Sequence, residues 1–320
     1  MSDSTTGRKP SDAATRRGVS DRLANLPPVG GDSFSPGRTL GLRVEFVRQV
    51  RRRRTQLAAL LLLVLPVIIA IALKVNGSGG GSGGGSGSGA GAGGGGSGSA
   101  LIDLGSAGAA NFAFYCEFAS AAFLLVVIVA LFCGDTVASE ASWASLRYLL
   151  AIPVPRSRLL RQKLIVALSL SLGANLLIPV WSFLVGGAFF GWAPAQSPLG
   201  GTFGTWEGVW RLLIIVGYVS LQSLLVASLA FLLSVLTDAP LGAVGGAVLL
   251  VVVSNILDAI TALGSYRDFL PTHFQYSWLD ALGPAVNWSD MIRGTGVALI
   301  YSAVFFALAW WRFERKDIVS

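Results

Sequence analysis

Five polar side chains interrupt the long apolar stretches of this 320-residue chain, and their type and position could support chemistry inside a membrane. They are Glu117, Asn175, Gln222, Asn255 and Asp258. Polar groups inside a membrane are costly and usually face protein or water, so they are candidate contacts along a pathway for a transported molecule. The alternative for the last four is a hydrogen bond that packs two helices together. Glu117 lies near the outer edge predicted for its helix, where an interfacial carboxylate without a role fits equally well.

The scattered carboxylates and single histidine of the sequence argue against an enzyme. Catalytic His, Asp, Glu, Ser or Cys groups must meet at one site. Here the carboxylates are scattered and His273 is the only histidine. A histidine-based metal cluster is therefore not available, and neither a catalytic residue nor a metal site is predicted. An integral membrane enzyme remains the least favoured alternative.

Six apolar stretches are long enough to cross a bilayer. Hydrophobic residues make up 53% of the chain and charged residues only 13%. About 20 apolar residues in a helix cross the hydrocarbon layer. The predicted fold class is therefore all-α, a polytopic membrane protein with six transmembrane helices. These helices, named span one to span six, run from about Leu57 to Leu73, Ala109 to Cys133, Leu164 to Phe190, Leu212 to Leu236, Leu241 to Leu257 and Gly294 to Trp311.

The distribution of basic residues predicts the orientation. If the spans alternate, 20 of the 24 Lys and Arg residues fall on one side. Basic residues are retained on the cytoplasmic side, so both termini of this multi-pass protein are expected there, in a cell membrane such as the bacterial plasma membrane. The net charge of +7 then indicates contact with anionic lipid headgroups, and no nucleic-acid partner is predicted.

Composition divides the chain into a tail and a membrane domain. Residues 1–37 are polar and are predicted to be a disordered cytoplasmic tail, followed by a transmembrane domain over 38–320. Residues 77–99 are almost entirely Gly and Ser and predict a flexible external loop between spans one and two. Whether this loop is native or an engineered linker stays open.

A basic segment, Arg38 to Arg54, precedes span one directly. On a helix its apolar and polar side chains separate, which is typical of an amphipathic helix lying in the inner interface. A topological stop signal is the simpler alternative. The residues assigned to this interfacial helix are Arg43, Phe46, Arg48, Arg51, Arg52, Arg53 and Arg54.

The cytoplasmic loop after span two has the composition of a docking element. Trp and Arg side chains on a short exposed helix are frequent energetic hot spots in protein interfaces, and Pro153 would end such a helix. An ordinary interfacial loop is the alternative. The residues assigned to docking are Asp135, Glu140, Trp143, Leu146, Arg147, Pro153 and Arg156.

The order of residues in this loop resembles the membrane subunit of type-2 ABC exporters. The resemblance is carried by Asp135, Glu140, Ala144-Ser145, Leu146-Arg147, Leu149-Leu150 and Pro153-Val154-Pro155-Arg156, and by the tail from Arg312 to Ile318. The family commonly has Gly-Thr where this chain has Ala144-Ser145. The likeness extends over roughly Leu40 to Ile318, and the Gly/Ser loop departs from it.

The resemblance implies that Asp135 to Leu150 is a cytoplasmic coupling helix that contacts an ABC ATPase subunit. The turn containing Asp238 would be the second contact. It also implies a second permease subunit, identical or different, and ATP and Mg on the partner ATPase. This chain lacks the Gly-rich phosphate loop that ends Gly-Lys-Ser or Gly-Lys-Thr. It is therefore expected to be a transport subunit without enzyme activity or a cofactor of its own.

The expected function is export of a hydrophobic or amphiphilic substrate, such as a drug, lipid or peptide, out of the cytoplasm. The family commonly has short helices between spans five and six that close the outer mouth. A stand-alone channel or membrane scaffold without an ATPase is the alternative.

Overall fold

The computed structural model describes residues 41–78, 104–142, 156–197 and 201–315. Within these ranges the fold is all-α, apart from an isolated bridge between Gln196 and Thr202. The helices belong to one compact unit that begins at Leu42. The predicted tail and most of the Gly/Ser loop lie outside the described residues.

Five of the helices are long and apolar enough to cross a membrane, or six if a bent pair counts as one span. This confirms a helical protein with five to six candidate spans. Span one is Arg53–Ser78, span three is Arg156–Phe190, span four is Thr205–Leu236, span five is Pro240–Ala259 and span six is Ser289–Glu314. A short helix, Leu42–Val50, comes before span one, and two 3₁₀ helices, Thr261–Phe269 and Ser277–Leu282, connect spans five and six.

Span two is broken rather than continuous. It consists of Ala109–Ala121 and Leu124–Ser142, and the two parts are bent by 57°. The break contains neither Pro nor Gly. Instead, the Ser120 hydroxyl donates to the carbonyls of Cys116 and Glu117, and Gln275 donates to the carbonyl of Ala121. Side chains that occupy backbone carbonyls in this way allow a helix to bend.

Span four lies at the centre of the bundle. It packs against spans two, three, five and six, whereas span one packs mainly against span three. The indole of Trp181 fixes span one in place, because its Nε1 donates to the carbonyl of Leu63 over 2.9 Å. That bond lies near Pro66, which removes a backbone donor from span one.

Helix ends follow local chemistry. Pro240 occupies the first turn of span five, where its missing N–H has no cost. Span three ends before Gly191, which has a φ of 83°, a left-handed conformation that glycine adopts without strain. The chain then folds Trp192 back against Gly187, where a β-carbon would overlap the indole ring.

The two segments predicted to lie on the cytoplasmic side differ from the structure. The interfacial segment expected over Arg38 to Arg54 contains a helix only at Leu42–Val50, and the chain turns at Arg51 and Arg52 before span one begins. The helix expected from Asp135 to Leu150 begins as a direct continuation of span two, which runs without a break to Ser142. The residues that follow, 143–155, lie outside the described ranges.

Candidate functional site

The predicted inner end of span two is held by two arginines, one in the turn before span one and one in the first turn of span one. Asp135 is buried, and its two carboxylate oxygens face Arg52 and Arg54. Nη1 of Arg52 donates to Oδ2 over 3.1 Å, and Nη1 of Arg54 donates to Oδ1. A carboxylate that accepts from two guanidinium groups is stabilised by charge-assisted hydrogen bonds. The basic segment is therefore attached to the helix that leads into the predicted docking loop.

A second carboxylate ties the short helix Leu42–Val50 to span three. Glu45 accepts hydrogen bonds from Arg48 and Gln49 and interacts with the buried ammonium of Lys163. Burial alone would raise the pKa of Glu45, but Lys163, Gln49 and Arg48 outweigh it and lower that pKa below its usual value. Opposite charges near a carboxylate favour its ionised form. Glu45 is therefore a charged anchor for this helix.

The remaining side chains assigned to the interfacial helix are exposed. Apolar and basic side chains share the exposed surface of the helix Leu42–Val50. Leu42, Val44 and Val47 are exposed, as are the neighbouring arginines. The exposed members of the predicted set are Arg43, Phe46, Arg48, Arg51, Arg53 and Arg54.

The residues predicted to couple to an ATPase are only partly described. Asp238 is exposed at the turn between spans four and five. Arg156 opens the helix of span three, and Glu140 lies in the last part of the span two helix. Trp143, Leu146, Arg147 and Pro153 lie outside the described residues. Asp135 differs from Asp238 because it points into the bundle toward the two arginines.

Two of the five pathway candidates belong to one polar region in the middle of the bundle. Ser223 donates to Oδ1 of Asn175 over 3.4 Å, which joins spans four and three. Its neighbour Gln222 donates to the Tyr218 hydroxyl over 2.8 Å, and Tyr218 donates to the carbonyl of Phe274 over 2.6 Å. We call these residues, Asn175, Tyr218, Gln222 and Ser223, the polar seam.

A cavity of about 40 Å³ adjoins the polar seam between spans two, four and five. The segment between the two 3₁₀ helices covers its outer side, because Thr272 and Gln275 line it together with Gln222. Thr272 is fixed by a hydrogen bond of 2.8 Å to Ser254 on span five. The cavity has room for a few water molecules. It lies where the bend in span two meets residues 260–288, which join spans five and six. We call this segment the outer connection because the predicted orientation places it outside.

Glu117 and Asn255 do not join the seam. Glu117 is fully buried in the first half of span two, and neither of its carboxylate oxygens has a hydrogen-bond partner among the described residues. Buried polar groups are nearly always hydrogen-bonded, so this carboxyl group is a source of instability in the state described. Asn255 is half-buried on span five.

The fifth candidate, Asp258, lies in an ionic cluster at the outer end of span five. Its Oδ1 is 2.5 Å from Nδ1 of His273 and 3.4 Å from Nε of Arg267. The other ring nitrogen of His273 is 3.3 Å from Oδ1 of Asp268. These contacts hold the outer connection against span five, so Asp258 has a structural partner in this cluster.

The sequence interpretation missed Arg211 as an anchor. This buried arginine at the outer end of span four donates from Nη1 to the carbonyls of Ala281 and Gly283, each over 2.6 Å. It also pairs with Glu207 over 2.7 Å and lies over the ring of Phe203. The position of Arg211 could have indicated this role, because it is one of only four basic residues that the sequence places outside the predicted cytoplasmic side.

The contacts of these described residues bind helices to one another and orient them. Among the described residues, no group of three or more His, Cys, Asp or Glu side chains could hold a metal ion. The described contacts are therefore hydrogen bonds in the middle of the helical bundle and ionic anchors at its two ends.

Comparison with known proteins places most of the chain in one family. A family model described as a protein of unknown function, DUF2705, matches residues 101–319, which include spans two to six. No curated protein matches the sequence.

Proposed function

The chain belongs to the DUF2705 family, and we propose that it is the permease subunit of an ATP-driven ABC exporter. Its substrate would be a hydrophobic or amphiphilic molecule that leaves the cytoplasm. The helical bundle with five to six candidate spans and the loop sequence from Asp135 to Arg156 support this proposal.

The observation that carries the proposal is the attachment of the basic segment to the base of the docking loop. Asp135 is the first residue assigned to docking and lies on the helix of span two, where Arg52 and Arg54 hold it. A displacement of the docking loop would therefore move spans one and two together. A subunit driven from outside needs such a rigid connection between its contact surface and its helices.

In the proposed mechanism, ATP binding draws the two partner ATPase subunits together and moves the coupling helix. The helix of span two continues from Ser142 to Leu124 without a break, so it would carry the movement to the bend at Ala121. There the Gln275 side chain contacts the span through the Ala121 carbonyl. The movement would shift the populations of inward-open and outward-open states.

The proposal includes the finer features of topology and assembly. The helix Leu42–Val50 would lie in the cytoplasmic lipid interface with its basic side chains at the headgroups. Both termini would be cytoplasmic in a bacterial plasma membrane, and a second permease subunit would complete the transporter. ATP and Mg would be bound by the ATPase partner.

The test is coexpression with the ABC ATPase encoded nearest to its gene, followed by purification through a tag on this chain. We expect the ATPase to copurify and its hydrolysis rate to change in proteoliposomes that contain both. Arg147→Ala and Trp143→Ala should reduce copurification at least fivefold. Arg293→Ala is the matched control, because Arg293 is exposed at the opposite end of the bundle.

Two results would contradict the proposal. One is that no ATPase copurifies with the natural chain, which would leave a channel or scaffold. The other is that both loop variants retain the ATPase as well as the Arg293→Ala control does.

A further inference from the structure

A groove of about 300 Å³ lies on the outside of the bundle between spans three and four. Its walls are leucines, and its base is polar. Leu172 is half exposed at its rim, which shows that the groove opens onto the surface that a bilayer would cover. The groove is lined in part by Leu168, Leu172, Asn175, Ser220, Leu221 and Ser223.

The polar base lies about halfway across the predicted membrane. Asn175 is 11 residues beyond Leu164, the predicted inner start of span three, and this corresponds to about 16 Å of helix. Water does not reach this depth from the lipid side, so polar groups here must find partners in protein or in a bound molecule.

Two polar atoms at this base have no such partner. Among the described residues, Nδ2 of Asn175 and Oγ of Ser220 have no hydrogen-bond partner although both atoms are buried. Only 1% of Asn175 is exposed, and its Oδ1 is already used by Ser223. The amide group is therefore held in place with a free N–H donor at the groove. Buried polar groups of this kind are rare and call for an explanation.

The groove continues along span four past Gly217. A second hollow, of about 340 Å³, lies between spans four and six, and both hollows are lined by Gly217 and Leu221. A β-carbon at Gly217 would meet no atom within 4 Å, so the glycine leaves space that a larger side chain would fill. Ser223 lines both the groove and the inner cavity, which places the two on either side of one hydroxyl group.

We propose that this groove binds a neutral amphiphile from the lipid phase, with an aliphatic body against the leucines and a carbonyl oxygen at Asn175 and Ser220. The residues that line the groove carry no charge, so an ionic headgroup has no counter-charge there. A carbonyl oxygen matches the two groups because the amide nitrogen of Asn175 and the hydroxyl of Ser220 can each donate to it. Ester, amide and ketone groups on a long apolar chain fit this description.

The proposed binding site adds a substrate entry point to the proposed function. It rests on that function only for the direction in which the substrate is transported. The groove would admit substrate laterally from the bilayer, and Ser223 would lie between this entry site and the inner cavity. Binding itself requires no ATPase, so it is measured on the purified chain alone. Failure of binding and failure of ATPase coupling are therefore separate results.

The experiment uses a photoreactive fatty acyl amide that carries a diazirine and an alkyne tag. The purified full chain is placed in nanodiscs, irradiated with the probe, and digested for mass spectrometry. We expect saturable labelling of peptides from spans three and four. An unlabelled acyl amide should compete at least tenfold better than an alkane of equal length, because only the amide offers a carbonyl to Asn175.

Two variants test the groove by different means. Asn175→Leu removes the donor, and Gly217→Leu fills the space without altering a buried contact. Each should reduce saturable labelling at least fivefold. Gly173→Leu is the control, because Gly173 is also exposed on a span with no atom near a β-carbon but does not line the groove.

Three outcomes would overturn the proposal. The first is saturable labelling that both variants retain. The second is labelling that amide and alkane suppress equally, which would indicate a surface for acyl chains alone. The third is an absence of labelling combined with rapid disulfide formation between two copies of a Gly217→Cys variant. That result would indicate that a second copy of the chain covers the groove.

Discussion

Arg52 donates from Nη1 to Oδ2 of Asp135 over 3.1 Å, although 83 residues separate them in the chain. The contact joins the turn before span one to the inner end of span two. Arg54 completes it from the other side of the carboxylate. Asp135 therefore holds together two parts of this end of the bundle that the sequence presents as separate motifs.

Replacing Asp135 with Ala should destabilise the end of the bundle where spans one and two meet. The Asp135 side chain is only 11% exposed, and loss of charge-assisted hydrogen bonds of this kind costs about 1–3 kcal/mol. Arg52→Gln and Arg54→Gln should each cost less, because the other guanidinium remains. Thermal unfolding in detergent would measure the effect, with Arg293→Ala as the exposed control. Equal melting temperatures for the two Ala variants would refute the anchoring role.

Replacing Arg211 with Lys should loosen the outer connection without removing the charge. An ammonium group lacks the planar fork that lets one arginine reach Glu207 and the carbonyls of Ala281 and Gly283. We expect amide hydrogen exchange around residues 281–284 to become at least tenfold faster. Arg293→Lys, at an exposed site on the same side, should leave exchange unchanged. Unchanged exchange in both variants would contradict this account.

Replacing Gly294 with Ala should force span six away from the outer connection. An added β-carbon would overlap the Tyr218 hydroxyl and approach Cβ of Phe274 to 2.5 Å. Overpacking of this kind typically costs about 1–3 kcal/mol. Gly296→Ala provides the control two residues away, since its β-carbon meets no atom within 4 Å. Melting temperatures should fall for the first variant alone; a fall in both would point to a general effect of the helix.

Asp280 should make the outer connection sensitive to pH. Burial, and secondly the charge of Asp290, raise the pKa of Asp280 above its usual value of 3.8. The folded protein then holds this proton more tightly than the unfolded chain, so stability falls as pH rises from about 4 through the raised pKa. Asp280→Asn stays neutral and should be slightly more stable than the natural protein at pH 7.

The stability difference between Asp280→Asn and the natural protein should shrink as the pH is lowered to 4. Melting temperatures of both proteins between pH 4 and pH 7 would measure it. Curves that run parallel over this range would show that Asp280 does not contribute to the pH dependence.

Long apolar helices were predictable, whereas the break in span two was not. Apolar length alone identified the helices, because a run of about 20 apolar residues has few alternatives to a membrane helix. The break at Ala121 involves Gln275, a residue 154 positions away, in addition to the local Ser120 hydroxyl, and neither Pro nor Gly marks it in the sequence. The same holds for Trp181, whose partner is the carbonyl of Leu63.

The candidate site was predictable only as a set of polar residues. Asn175 and Gln222 were selected because a polar side chain in an apolar helix is costly wherever it points. Their separate partners depend on how spans three and four rotate against each other. Asp258 was selected for the same reason, but its contact with His273 depends on how the outer connection folds back onto span five.

By itself, the sequence determined that this chain forms apolar helices with basic residues concentrated toward one side, because helix length and charge placement are properties of single segments. The tertiary structure alone decided that Arg52 meets Asp135, that Arg211 caps the outer connection, and that Asn175 presents a free donor at a groove. Contacts of this kind join residues tens of positions apart, and their geometry is set only when the helices pack.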